Sequence, residues 1–357
     1  MEKVWGKTPD GQDVKVVEIK KGGLRAKVMN FGANLLELHV TLPSKEERDV
    51  VLGFRDLESY FTNDPNYGCS VGRHANRIGG AAFDLDGTHY ELDKNDGGCN
   101  NLHSGFHPLH KRIWDIKAES DNSITFAIHS PAGDMGFPGN MDIEVTYTIG
   151  DKQDLIIDYK AISDEKTVFN PTNHSYFNLK GAGEGNILDH KVTIHSDQVT
   201  YAGADSIPTG EYVQIKDTPM DFATGHVVGG RIEADYDLLK FAGGYDHNYV
   251  LKNTEEYHEA SYDHNGKNVY EAAVFSDPKG ELFAHVYTDL PGMQLYTGNY
   301  ISGTDLGKDS KIYSRRGGIC FETQYYPNAL NVPSFPQPII EAGKEYNSRT
   351  VYRFDQQ

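Results

Sequence analysis

The stretch Val269-Tyr270-Glu271-Ala272-Ala273-Val274-Phe275-Ser276-Asp277-Pro278-Lys279-Gly280-Glu281-Leu282-Phe283-Ala284-His285-Val286-Tyr287-Thr288-Asp289 carries two runs of β-branched, aromatic and small residues around a Pro- and Gly-containing break. Such runs favour a pleated, half-buried surface, and Lys279-Gly280 supplies a turn. The stretch predicts a hairpin of strands Val269–Ser276 and Glu281–Asp289. The same grammar recurs outward in both directions. Asp13–Ile19 and Leu24–Met29 flank Gly22-Gly23, and Phe83–Leu85 and His89–Leu92 flank Asp86-Gly87. Asp142–Ile149 and Leu155–Ile162 meet around Gly150-Asp151, and Ile124–His129, His190–His195, Glu211–Ile215, Met293–Gly298 and Ile319–Gln324 add further strands. Helical periodicity is scarce: Asp56–Asn63 and Ile232–Leu239 are expected to form a turn or two each. The 37 Gly and 15 Pro are spread along the whole chain, with no linker, composition break or repeat. The expectation is one all-β domain over residues 1–357, a large antiparallel β-sandwich with few short helices.

Charge and cysteine content narrow the function. A formal net charge of −18 disfavours nucleic acid and anionic membrane as partners, and makes a highly phosphorylated substrate a poor match. A neutral small molecule fits without strain. Cys69, Cys99 and Cys320 give no disulfide framework and no CxxC metal pair, so reduced thiols in a cytoplasmic protein are expected. Met1–Gly6 lacks the apolar run of a secretory signal, and no stretch is long and apolar enough to cross a bilayer as a helix.

Chemistry-bearing residues gather in six blocks. Asn170-Pro171-Thr172-Asn173-His174-Ser175-Tyr176-Phe177-Asn178-Leu179 packs polar side chains around one His, the group there that can exchange a proton near neutral pH. Asn and Ser at turns could account for it structurally, but the density suits a pocket that binds hydroxyls. Gly72–Gly80 places Arg73, Asn76 and Arg77 between glycines, and the two Arg are expected to have different jobs. Asn100–His110 holds His103, His107 and His110, yet Gly105 and Pro108 break the helix that zinc spacing would need. His103 therefore reads as a hydrogen-bonding residue and the other two as structural or solvated. Asp246, at the entry to an apolar strand, either caps a turn or accepts bonds from adjacent hydroxyls. Gln294 and Tyr296 share one strand face, as do Cys320, Glu322 and Gln324 on another. A Glu within so apolar a strand is either paired or functional.

Together Asn76-Arg77-Ile78, Asn101-Leu102-His103, Pro171–Leu179, Asp246–Tyr249, Gln294–Asn299 and Phe321–Gln324 resemble, in order and over most of the chain, the signature blocks of the aldose 1-epimerase family. The resemblance implies a galactose-mutarotase-like β-supersandwich that interconverts α and β aldohexopyranoses such as glucose and galactose without a cofactor or metal. It implies His174 as general acid and Glu322 as general base. By the same matching Asn76, Arg77, His103, Ser175, Tyr176, Asp246 and Gln294 hold the sugar, with Arg73 left a structural part. Ser104 departs from the family, which often has Gly there. A monomer or weak homodimer is expected.

Mutarotation needs one proton taken from the anomeric hydroxyl and one given to the ring oxygen, and a carboxylate with an imidazole supplies both. A bell-shaped pH profile is then expected, its acid limb from Glu322 and its alkaline limb from His174. Three other readings compete: a glycosidase pairing Glu322 with Asp246, a hexose-6-phosphate epimerase with a basic pocket, and a non-catalytic sugar-binding module.

Overall fold

The hairpin read from residues 269–289 forms as Tyr270–Ser276 antiparallel to Leu282–Thr288, with a bulge between Glu271 and Ala273. The structure, a computed structural model of the chain, describes residues 3–304 and 306–356. That hairpin lies within a nine-stranded sheet whose order is Asp115–Glu119, Ser123–Ser130, Met141–Ile149, Asp154–Ser163, Glu345–Gln356, Leu282–Thr288, Tyr270–Ser276, Lys191–Ile194 and His226–Val227. A five-stranded sheet runs from Lys3–Lys7 to Glu47–Asp49. A second five-stranded sheet has the order Pro208–Gln214, Gln198–Ala202, Asp246–Val250, Gly292–Tyr296, Cys320–Gln324. The neighbouring strands within these three sheets pair antiparallel, and two-stranded ribbons complete the β-rich fold.

The 12-residue strand Glu345–Gln356 pairs on both edges, with Asp154–Ser163 and with Leu282–Thr288. Sequence reading missed this strand. Its inward face runs Tyr346, Ser348, Thr350, Tyr352, Phe354, so two hydroxyl residues interrupt the apolar alternation. Thr350 resolves its polarity by pairing its hydroxyl with that of Thr323 on the Cys320–Gln324 strand.

Two short α-helices are described, Glu58–Thr62 and Asp237–Ala242. The first lies inside the expected 56–63. The second is displaced from the expected Ile232–Leu239: it begins at Asp237 and stops at Gly243, whose φ of 64° places it in the left-handed region while its N–H bonds the last turn. The Asp86-Gly87 hairpin is as read, both residues having positive φ (49° and 80°), as a two-residue type I′ turn requires.

The core that supports the site is aromatic. Phe321 stacks on Phe275 at 4.5 Å between centroids, and Phe177 contacts both Phe275 and Tyr352. The Tyr352 hydroxyl donates to the Phe321 carbonyl at 2.9 Å. The Cys320–Gln324 strand is thereby fixed to the nine-stranded sheet through its odd-numbered face. Truncating Phe321 to Ala at such a site costs about 3–5 kcal/mol.

Candidate active site

Fixing Phe321 inward leaves Cys320, Glu322 and Gln324 on the opposite face of their strand. Register then extends that face across the sheet. Gln294 lies opposite Glu322, and Tyr296 opposite Cys320; Asn248 lies opposite Gln294, and Asp246 opposite Tyr296. One polar surface therefore carries Asp246, Asn248, Gln294, Tyr296, Cys320, Glu322 and Gln324. An open cleft of about 380 Å³ lies beside it, lined by Asn76, Phe241, Asp246, Asn248 and Gln294 among others.

His174 reaches this surface from the short strand Thr172–His174, which pairs with Cys69–Val71. The Thr172 hydroxyl donates to the Thr323 carbonyl at 2.9 Å and pins the segment to the Glu322 strand. His174 Nε2 lies 3.5 Å from Glu322 Oε1, with both side chains nearly inaccessible. The imidazole stacks on Tyr176 at 5.1 Å, and Tyr296 and His103 meet it edge-on at 6.2 and 5.5 Å. Asn173, one residue earlier, points the other way, donating to the Gly68 carbonyl and the Tyr147 hydroxyl. Ser175 shares that side: its hydroxyl donates to Asn173 Oδ1 at 2.6 Å. The Tyr176 hydroxyl donates to the Pro65 carbonyl, leaving the ring as its part of the site.

The two loops expected to grip the ligand are joined to each other. Arg77–Ile78 pairs with Asn101–Leu102, His103 N donates to the Asn76 carbonyl, and Asn76 N donates to His103 Nδ1 at 3.1 Å. Asn76 and His103 both hold left-handed backbone, φ 58° and 51°. Accepting at Nδ1 puts the proton of a neutral His103 on Nε2 as a donor. Burial pushes its pKa well down and keeps it neutral. Ser104 serves as a clamp, its hydroxyl accepting from His74 N at 2.8 Å and donating to the His74 carbonyl at 3.1 Å. Arg77 donates through Nε to Asp96 at 2.9 Å, leaving Nη1 and Nη2 without a hydrogen bond to the described residues. Arg73 instead is fully buried and donates to the Ser130 hydroxyl and to the carbonyls of Ser130, Pro131, Pro138 and Gly139. The two arginines make different contacts. His110 is buried, and His107 offers its carbonyl to Arg112.

Burial sets the protonation of the pair. It raises Glu322 well above the usual carboxylate value, Asp246 adds to the rise and Arg77 opposes it. It lowers His174 to about 4, against a contact with its own backbone. The sequence-based order, with Glu322 titrating below His174, is therefore reversed, because desolvation penalises the charged form of each. Asp246 is raised as well, chiefly by burial, with Arg77 and the 2.6 Å bond from Gln294 Nε2 opposing. Glu322 Oε2, Gln294 Oε1 and both side-chain atoms of Asn248 and Gln324 are buried without a partner among the described residues. Unpaired buried polar atoms are costly, so their convergence here marks where a hydroxyl-rich ligand would complete the bonding.

Asn248, Gln324 and Cys320 were given no role from the sequence, although strand parity with Asp246 and Glu322 places them on the same face. One group capable of holding a metal includes the pair: His174, Cys320 and Glu322. Their ligand atoms lie within 4.8 Å of one another, and the shortest contacts to the ring are Glu322 Oε1 at Nε2 (3.5 Å) and Cys320 Sγ at Nδ1 (3.6 Å). Glu37, His39 and Asp49 form a second group on the N-terminal sheet, where Lys27 and Lys308 already pair with its acids.

Comparison with known proteins gives a consistent result. The aldose 1-epimerase family model matches residues 15–353. Galactose mutarotase from Sus scrofa is 37% identical over 352 residues, covering 98% of this chain and 97% of that protein. Galactose mutarotase from Homo sapiens is 37% identical over 354 residues, with coverage of 98% and 97%. Among solved structures, an aldose epimerase homologue from C. elegans superposes with a TM-score of 0.84 at 26% identity, covering 96% of this chain and 98% of that one.

Proposed function

The chain belongs to the aldose 1-epimerase family, and from that premise we propose that His174 and Glu322 are the acid–base pair with which it opens and recloses a pyranose. It is an isomerase that interconverts the α and β anomers of aldohexoses such as D-glucose and D-galactose. The observation that carries the assignment of the pair is the 3.5 Å approach of His174 Nε2 to Glu322 Oε1 on a buried face beside free hydrogen-bonding atoms.

Glu322 as carboxylate takes the proton of the anomeric hydroxyl while His174, protonated at Nε2, gives one to the ring oxygen. The bond from the anomeric carbon to the ring oxygen breaks, the hydroxyl oxygen becomes the aldehyde oxygen, and Glu322 ends protonated with His174 neutral. After the terminal carbon rotates, both transfers reverse on the other face. Each positioned transfer contributes about 100- to 10,000-fold. In the protein alone burial favours the uncharged arrangement, a protonated Glu322 beside a neutral His174. It holds the same single proton as the working ion pair, and sugar hydroxyls together with the nearby Arg77 shift the balance toward that pair.

Holding the open chain is assigned to Asn76, Arg77, His103, Asp246 and Gln294, with Ser175 and Tyr176 supporting His174 from its own segment. The free Arg77 nitrogens, the Nε2 donor of His103 and the unpaired Gln294 Oε1 suit three hydroxyls away from the anomeric centre. Residues 1–357 are proposed to act as one domain, because the nine-stranded sheet draws strands from residues 115 to 356. A cytoplasmic site of action is favoured by three unpaired cysteines. No helix among the described residues is long and apolar enough to cross a membrane. We also propose that no metal or cofactor takes part and that the protein works as a monomer or weak homodimer.

Polarimetry of freshly dissolved α-D-galactose and α-D-glucose tests the activity. Added protein should hasten the approach to the equilibrium rotation beyond the spontaneous rate; an unchanged decay with both sugars would refute it.

A further inference from the structure

We propose that Cys320 is a positioning residue for the proton transfers, its thiol holding His174 Nδ1 so that Nε2 alone faces Glu322. The proposal rests on the reading of His174 as the acid.

Cys320 lies two residues before Glu322 on the same buried strand face, and its Sγ is 3.6 Å from His174 Nδ1. The Tyr176 stack, with Tyr296 and His103 at the edges, fixes the plane of the imidazole. A stack does not distinguish the two flips of the ring about its Cβ–Cγ bond. The contact at Nδ1 does, because turning the ring over would exchange the atom facing Glu322 Oε1.

The same contact sets the tautomer. An imidazolium that gives its proton from Nε2 is left neutral with its hydrogen on Nδ1. For one atom to give and recover the proton, Nδ1 must keep its hydrogen throughout, and a buried N–H needs an acceptor. Sulfur at 3.6 Å is within reach as a weak acceptor, a role it takes in the Nδ1–H tautomer. Burial, with Glu322 and Asp246 adding to it, raises the Cys320 pKa well above its usual value and keeps the sulfur an uncharged thiol. Such an acceptor fixes the hydrogen without binding the imidazolium as strongly as a carboxylate would. The ring therefore remains able to surrender its proton to the sugar. Atoms balance without oxidation or a covalent step at sulfur: the thiol hydrogen stays on Sγ throughout.

Cys320→Ala, Cys320→Ser and His174→Asn decide it, with fold checked by circular dichroism. Cys320→Ala should lower kcat roughly two- to tenfold, the worth of one modest hydrogen bond, with KM for D-galactose unchanged. Its ¹⁵N spectrum should show His174 moving from the Nδ1–H form to a mixture of tautomers, and the limbs of its pH profile should move. Cys320→Ser, whose hydroxyl can accept the same hydrogen, should restore kcat and the tautomer. If Cys320→Ala keeps wild-type kcat and tautomer while His174→Asn is inactive, Cys320 only fills space and the inference is overturned. If Cys320→Ala unfolds, Cys320→Ser carries the test, and a folded Ser variant with a mixed tautomer overturns it. An active His174→Asn would instead remove the acid–base reading on which the inference stands.

Discussion

Gln294 and Glu322 face each other directly across neighbouring strands, and each keeps one buried oxygen without a partner among the described residues. The other end of Gln294 is committed, its Nε2 donating to Asp246 at 2.6 Å. Gln294 therefore presents its carbonyl oxygen, and Glu322 its Oε2, from paired positions on one sheet face. Two acceptors on that face suit sugar hydroxyls, one held by the amide and the other deprotonated by the Glu322 carboxylate.

Gln294→Met keeps the length of that side chain and removes both polar ends. Sugar affinity should fall about tenfold, the loss of one or two hydrogen bonds in a desolvated site, while the protein remains folded. Saturation kinetics and a melting curve check it. Wild-type KM would place the ligand elsewhere.

Arg73 and Arg77 should separate cleanly. Arg73→Lys offers three donors to a shell of four carbonyls and a hydroxyl, leaving buried acceptors unpaired, and should cost roughly 2–4 kcal/mol in urea unfolding with little change in KM. Arg77→Lys should unfold normally and lose turnover, because the planar fork toward the sugar is gone. Loss of turnover in a stable Arg73 variant, beside a fully active Arg77 variant, would reverse the assignment.

The pH profile follows from the raised Glu322 and the lowered His174. Going down in pH, the pair gains a second proton on the imidazole near the low His174 value and turnover falls. Going up, the last proton leaves a carboxyl whose pKa burial has raised, and turnover falls again. The limbs belong to the coupled pair, with acid-side titration weighted on His174 and alkaline-side titration on Glu322. Turnover should stay level through roughly pH 6.5, the ordinary histidine value. The proton-detected titration of His174 should show a neutral ring there in the free protein. An alkaline limb centred at that pH would return His174 to an ordinary histidine.

Exhaustive dialysis against EDTA should leave full activity. His103 Nδ1 is taken by the Asn76 backbone N–H, and acid–base transfer between Glu322 and His174 needs no Lewis acid. Activity lost on chelation and recovered with zinc would overturn the metal-free account.

How much of this was legible depends on what each signal requires. Alternation alone puts Cys320, Glu322 and Gln324 on one face, and Gln294 with Tyr296 on another, since parity is local. That the two faces are one surface depends on register, which is set by Phe321, Phe275 and Tyr352 from distant parts of the chain. The strand Glu345–Gln356 was hidden by Ser348 and Thr350 on its inward face. Asn248 was overlooked beside Asp246, although the same parity reaches it. The pH limbs expected from ordinary carboxyl and imidazole values exchange owners because burial raises Glu322 and lowers His174. The apolar neighbours of Glu322 signal that burial in the sequence, and the polar neighbours of His174 do not. The structural role read for Arg73 matches the contacts it makes, while the role of Arg77 toward the sugar rests on the motif.

Catalysed mutarotation by Glu322→Gln and His174→Asn, followed by polarimetry with the spontaneous rate subtracted, bears most directly on the acid–base pair. Gln fits the volume of Glu322 but cannot take a proton, and Asn keeps hydrogen bonding at His174 but cannot give one near neutral pH. Each variant should remain folded, bind D-galactose with near wild-type affinity, and lose about 100- to 10,000-fold in turnover, roughly 3–6 kcal/mol of barrier. A folded Glu322→Gln protein with near wild-type turnover and unchanged affinity would place the base elsewhere and contradict the mechanism.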